Sequence, residues 1–416
     1  MRIDALETRA EGDAVRASAR IRWEDSPREP FDLLFDSRGP AAAHLRADAN
    51  AMLLACALPA MRHGERRIAI DGTVCSRLVD GLRTAATILS TWYGGARRLP
   101  EIEPSEGFRV PLPACDRRAG AFLSGGMDSL DLFVRNHDQF PPGHPARFED
   151  ALHVSGLPYT GPPGSSASES FTSRGRAAAS AIAARLEIPL TFVRTNLGEL
   201  ERDFLFFRQE WFGGAYAAVA HLLSGRLTDV SFASAQQLGV RLDPLGSHPL
   251  LDPFYSTGAL RFRHAGAERT RLEKAKSLAR RTELLALLYV CLTTPVEGPA
   301  RNCGRCEKCL HTQIELQLAG AVLRAFPEGS LTAESIRALR PDPHTSFFWR
   351  PLAEPLRREG RHDLAAEIDA KLAEMDRVRA WMGDAGWKGR LRRIDRKLFG
   401  SALLGARRRL RRAESA

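Results

Sequence analysis

The first chemical signal lies in six residues, Ser124-Gly125-Gly126-Met127-Asp128-Ser129. They follow an apolar run, Ala119 to Leu123, that reads as a buried strand, and helical spacing resumes at Leu130, Phe133 and Val134. The expected unit is a strand, a tight turn and a helix start. Gly125 and Gly126 permit positive φ and let a ligand approach the backbone, while the amides that open the helix lack partners and carry the positive end of its dipole. An anion belongs there. Ser124 and Ser129 add donors, and Asp128 can orient the loop or meet a metal bound to phosphate. A nucleotide polyphosphate is therefore the expected ligand. The loop is not of the Walker type, because no lysine follows the glycines at the required spacing. An ordinary glycine-rich turn has the same local composition, so the surroundings must decide.

The second signal is Cys303-Gly-Arg-Cys306-Glu-Lys-Cys309, with Cys291 upstream. Thiols at paired two-residue spacings, with a fourth within loop reach, predict a tetrahedral four-cysteine zinc site. His311 is the alternative fourth ligand, and an iron-sulfur cluster is the other metal chemistry compatible with the spacing. With four protein ligands a zinc ion would be structural. Arg271 and Lys274, three apart on one helical face, can reach one anion and offset charge that builds on an α-phosphate. A solvated basic face is the alternative, given Lys276, Arg280 and Arg281 nearby. In Leu245 to Thr257, His248 is a candidate phosphate or substrate contact. Asp252 is a candidate metal ligand or orienting partner of Lys274, and each residue equally suits a loop-structuring role.

The elements that must position these groups alternate strand and helix from about 115 to 240, which predicts a parallel sheet with helices on both faces. Further strands are expected at Ala151–Gly156, Pro189–Asn196 and Asp229–Ser234, with helices at Phe171–Leu186 and Leu200–Leu223. In such sheets ligands bind beyond the carboxyl ends of the strands, where Ser124, Ser155, Thr195, Asn196 and Ser234 would gather. Pro158 to Ser166 is expected to loop over that end, and Glu268 to Arg281 is expected to be helical. Residues 1–110 read as an N-terminal α+β domain. Its strands fall near Ala17–Trp23, Phe31–Phe35 and Arg66–Ile70, and its helices near Ala47–Met61 and Cys75–Trp92. Residues 316–387 read as a helical extension, including a helix over His362–Trp381.

Composition sets the outer bounds. The 416 residues, 44% hydrophobic and 26% charged, are those of a soluble globular chain of two or three domains. No apolar run reaches the roughly 20 residues a bilayer demands. No secretory leader is expected either, and seven cysteines are too sparse for a disulfide scaffold. A reducing cytoplasm is the expected setting. The net charge of +10 sits mostly in residues 388–416, where 11 Lys and Arg face 2 acids. This tail predicts an anionic partner, RNA or lipid, or a solvated end, and says little about the rest.

The pattern Ser-Gly-Gly-x-Asp-Ser resembles the pyrophosphate-binding loop of the N-type ATP pyrophosphatases. With Lys274, Cys291 and the Cys-Gly-x-Cys-x-x-Cys knuckle in this order, residues 118 to 315 resemble the 7-cyano-7-deazaguanine synthase family of queuosine biosynthesis. The resemblance implies a Rossmann-like sheet of the adenine nucleotide alpha hydrolase type over 115–315, with ATP, Mg²⁺ and Zn²⁺ as cofactors. Ser124 to Ser129 would hold pyrophosphate, Asp128 would support Mg²⁺ or the loop, and Lys274 with Arg271 would neutralise the α-phosphate. Main-chain groups at Leu152, His153 and Val154 would receive adenine. The implied activity is a ligase that adenylates a small-molecule carboxylate and then forms a C–N bond with ammonia or an amine. Related homologues act on other targets, so a protein or RNA acceptor is also expected. A tRNA-modifying enzyme and a nucleotide-sensing module are the alternatives. The family enzyme is smaller and its first cysteine lies closer to the knuckle, departures that bear on the substrate.

Overall fold

The computed structural model describes residues 1–93, 97–158, 166–238, 243–291, 301–340, 342 and 345–382. Most of the loop expected at 158–166 and the whole basic tail lie outside the described residues. Contacts divide the chain into two units, Met1–Cys303 with Ala319–Pro327, and Gly304–Leu318 with the chain from Glu328 onward.

The first unit is an α/β fold. β1 (Arg2–Glu11), β2 (Ala14–Arg22) and β3 (Phe31–Arg38) form an antiparallel meander. β4 (Arg67–Ile70) and β5 (Glu101–Pro104) continue it in parallel beyond β1. β6 (Ala119–Phe122), β7 (Phe148–Ser155), β8 (Leu190–Thr195), β9 (Asp229–Ala233) and β10 (Arg261–Ala265) form a parallel half. Among the described residues these ten strands make one sheet, in the order β10-β9-β6-β7-β8-β3-β2-β1-β4-β5. Every residue of β6 is buried, as expected for a strand covered on both faces.

Residues 1–110 contain the expected strands and helices, yet they do not build a sheet of their own. β3 lies antiparallel to β8, Phe35 opposite Thr195 and Arg38 opposite Phe192, so each strand satisfies the other's outer row of amides and carbonyls. Helices α1 (Ala49–His63) and α2 (Ser76–Tyr93) belong to the same hydrophobic core as the parallel half. Trp211 donates from Nε1 to the Ala55 carbonyl of α1 at 3.1 Å. By contacts the first unit runs unbroken from Met1 to Cys303.

Two connections place the site. From β6 the chain runs outward to β7 and β8, whereas β9 and β10 lie on its other side, so the strand order reverses at β6. A ligand crevice opens at such a reversal, beyond the carboxyl ends of the strands. α4 (Ser166–Arg185) follows β7, and the long helix expected over 200–223 is interrupted. Asp203 caps a short turn through the amides of Leu205 and Phe206, a π-helical turn follows at Phe207–Trp211, and the regular helix is α5 (Phe212–Leu222).

The second unit is helical. α7 (Glu307–Leu318), two short helices at Ala333–Arg337 and Ala353–Arg358, and α8 (His362–Met382) surround a core of Leu310, Ile314, Ile336, Trp349, Leu356 and Leu364. Inside it, the Trp349 Nε1–H donates to Glu307 at 2.8 Å.

Candidate functional site

β6 delivers the chain to Ser124 at the sheet's carboxyl end, and α3 (Met127–Gln139) starts three residues later. Gly125 has φ +84°, and a Cβ there would stand 3.0 Å from the Cβ of Ala178. Glycine is required on both counts. Gly126 is the N-cap, and no side chain caps the first amides of the helix. Ser129 is buried and donates to the Gly126 carbonyl at 3.0 Å while accepting the Ser124 amide at 3.3 Å. The two hydroxyls are 3.1 Å apart. Ser124 is exposed, and its hydroxyl, which accepts the Gly126 amide at 3.3 Å, faces the side from which a ligand would come. Met127 is buried and offers only its main chain.

The wall beside the loop comes from β7 and from the chain before Cys291. Leu152 accepts the Leu123 amide at 2.8 Å, so its carbonyl is already engaged, and Val154 is half-buried. Buried His153 donates from Nδ1 to the Leu123 carbonyl at 2.9 Å. Burial pulls its pKa below the usual imidazole value, which keeps the ring neutral with Nε2 as an acceptor. The Tyr289 amide donates to the Gly125 carbonyl at 3.0 Å.

Arg271 and Lys274 lie on α6 (Arg271–Leu278), which Thr270 and Glu273 close at its start with a reciprocal capping box. They meet one anion, which belongs to the protein. That anion is Asp128: Arg271 pairs with one carboxylate oxygen, and Lys274 Nζ lies 3.1 Å from the other. Lys274 is 1% exposed and also donates to the Ser234 carbonyl. One turn along α3, Asp131 accepts from Arg269 at 2.8 and 3.0 Å and from Ser277. Burial raises the Asp131 pKa against those partners. The same cations therefore dock α6 on α3 and border the loop.

Other expected groups have different duties. Asp252 does not orient Lys274. It accepts from Ser247 Oγ at 2.7 Å and His264 Nδ1 at 2.8 Å, deep beneath the segment it belongs to. His248 is buried edge-on against Trp92, and its Nδ1 accepts the Leu250 amide at 3.0 Å. Burial lowers its pKa to about 4. Asn196 bonds to Leu34 and Asp32, tying β8 to β3, and Thr195 accepts the Leu197 amide. These polar strand ends are structural. His264 and Tyr289 carry no signal in the sequence, and the His153 ring, expected only through its main chain, lies beside the loop. β10 escaped notice because its alternating Arg261, Arg263 and His264 frame a single fully buried residue, Phe262.

Cys291, Cys303, Cys306 and Cys309 bring their sulfurs within 4.8 Å of one another. A tetrahedron of bonds about 2.3 Å long has edges of about 3.8 Å, so the set fits a thiolate-bound metal such as zinc after a small contraction. His311 is not the fourth ligand. It stacks on Phe348 with ring centroids 4.8 Å apart and planes inclined by 3°.

Comparison with protein-family models, curated proteins and solved structures finds no match to this chain.

Proposed function

We propose that the crevice at the Ser124–Ser129 loop binds ATP and that the protein adenylates a carboxylate, as the 7-cyano-7-deazaguanine synthase family does. The observation that carries this reading is the loop itself. An uncapped helix start, an exposed Ser124 hydroxyl and two cations facing Asp128 meet where the strand order reverses. In this reading the loop amides and Ser124 hold the departing pyrophosphate. The substrate carboxylate attacks the α-phosphorus, and ammonia or an amine then displaces AMP from the acyl adenylate. Lys274 and Arg271 stabilise the charge that develops on the α-phosphate. Each oxygen of Asp128 already faces a cation, so Mg²⁺ at this carboxylate would have to share it with Arg271 or Lys274. Zinc in the cysteine cluster has no open position and is structural.

The same ion pairs favour a second reading, a nucleotide-binding module without turnover, in which Arg271 and Lys274 stay committed to Asp128. The deciding experiment follows AMP and pyrophosphate release from ATP by the zinc-loaded protein. It is offered 7-carboxy-7-deazaguanine with ammonium, beside Ser124→Ala and Lys274→Ala. Turnover lost in both variants supports adenylation. ATP binding with no AMP under any condition sinks adenylation in favour of the sensor.

A further inference from the structure

We propose that Asn302 is a positioning residue that transmits metal occupancy at the cysteine cluster to the Gly125–Gly126 peptide. Its relevance to ligand binding rests on reading that loop as an anion site. Asn302 is fully buried and uses its whole hydrogen-bonding capacity. Oδ1 accepts the amides of Val290 at 2.7 Å and Cys291 at 3.1 Å. Nδ2 donates to the carbonyls of Leu288 and Ala325, each at 2.9 Å. One side chain thus clasps the backbone from Leu288 to Cys291. It sits between two cysteines of the cluster, next to Cys303 in sequence and bonded to the amide of Cys291.

The clasped segment holds the loop. Within it, the Tyr289 amide donates to the Gly125 carbonyl at 3.0 Å. That carbonyl and the Gly126 N–H, which here donates to Ser124 Oγ at 3.3 Å, belong to one planar peptide, so fixing the first fixes the direction of the second. Flanked by two glycines, this peptide rotates at little steric cost once released. Rotation would turn a carbonyl oxygen toward an incoming anion in place of an N–H. A metal that pins Cys291 and Cys303 keeps Asn302 in place, and through Tyr289 keeps the loop in its anion-accepting form. By linkage, an anion in the loop must in turn raise the cluster's affinity for metal by the same factor.

The test compares full-length metal-loaded wild type, metal-free wild type and metal-loaded Asn302→Ala by amide hydrogen exchange, with amides of β2 as internal reference. The expected result is faster exchange at 288–291 and 124–128 in the second and third samples, with β2 still protected. Cobalt-substituted Asn302→Ala should retain the thiolate-to-metal absorption of a four-sulfur site, which separates a lost clasp from a lost ligand. Inorganic pyrophosphate should bind both altered forms at least about fivefold more weakly than the loaded wild type. Unchanged loop exchange on metal removal overturns the proposal, as does a uniform loss of protection that includes β2. If pyrophosphate binds none of the forms while loop exchange still follows the metal, the anion-site reading fails and the coupling stands.

Discussion

The two halves of the one sheet use the same charged residue types to opposite ends. In the antiparallel half, apart from the buried Met1 amino group on Glu65, ion pairs lie across an open strand surface, with Arg16–Asp36 and Arg20–Asp32 both at 2.6 Å and each of these four partners at least 29% exposed. In the parallel half the charges are sequestered. Lys274 is 1% exposed, Asp131 2%, and Asp252 and His264 are buried together. Surface pairs are screened and contribute little, whereas a buried charge must be matched or its removal is costly. The antiparallel half displays most of its charges on strand faces, whereas the parallel half buries matched ones, Lys274 and Asp131 among them, beside the loop.

The largest way to break this contrast is to strip the metal. Chelation should cut pyrophosphate affinity by at least about fivefold, as followed by titration calorimetry, while the amides of β2 stay protected from exchange. Next is Lys274→Ala, which removes a buried cation from Asp128 and Ser234. Denaturant unfolding should show a loss of about 3 kcal/mol. Gly125→Ala should cost about 1–2 kcal/mol, through the positive φ and the clash with Ala178, and should weaken nucleotide binding more than it weakens folding.

Acid should also act through the parallel half. Burial lowers the pKa values of His137, His153, His221 and His248, the last to about 4. The unfolded chain takes up protons below about 6.5, so their contribution is full above that pH and is lost as pH falls toward 4. His248→Asn, which keeps an acceptor for the Leu250 amide, should flatten the thermal midpoint's decline over that window. The smallest effect belongs to the antiparallel half: Arg20→Ala should change stability by less than about 1 kcal/mol, and high salt should erase the difference.

The loop, its strand and its helix were legible because each rests on local rules. An apolar run, two glycines and a resumed helical period dictate that turn wherever it occurs, as cysteine spacing dictates the cluster. Strand pairing rests on distant partners. β1 is fully buried at only Ile3 and carries little period-2 signal, yet it sits between β2 and β4. The join of β3 to β8 cannot be seen from either segment. Thr270-x-x-Glu273 does announce the start of α6, three residues later than hydrophobic periodicity alone suggests. The partner of Arg271 and Lys274 was hidden because Asp128 lies 143 residues from the first and 146 from the second.

The β3–β8 seam also limits how this chain can be taken apart. Cutting away residues 1–110 to isolate the loop-bearing half would strip β8 of its neighbour and expose Leu190-Thr-Phe-Val193 as an unpaired, β-branched and aromatic strand. Such a strand templates its own copies. Any recombinant fragment that starts near residue 115 should therefore self-associate through that seam.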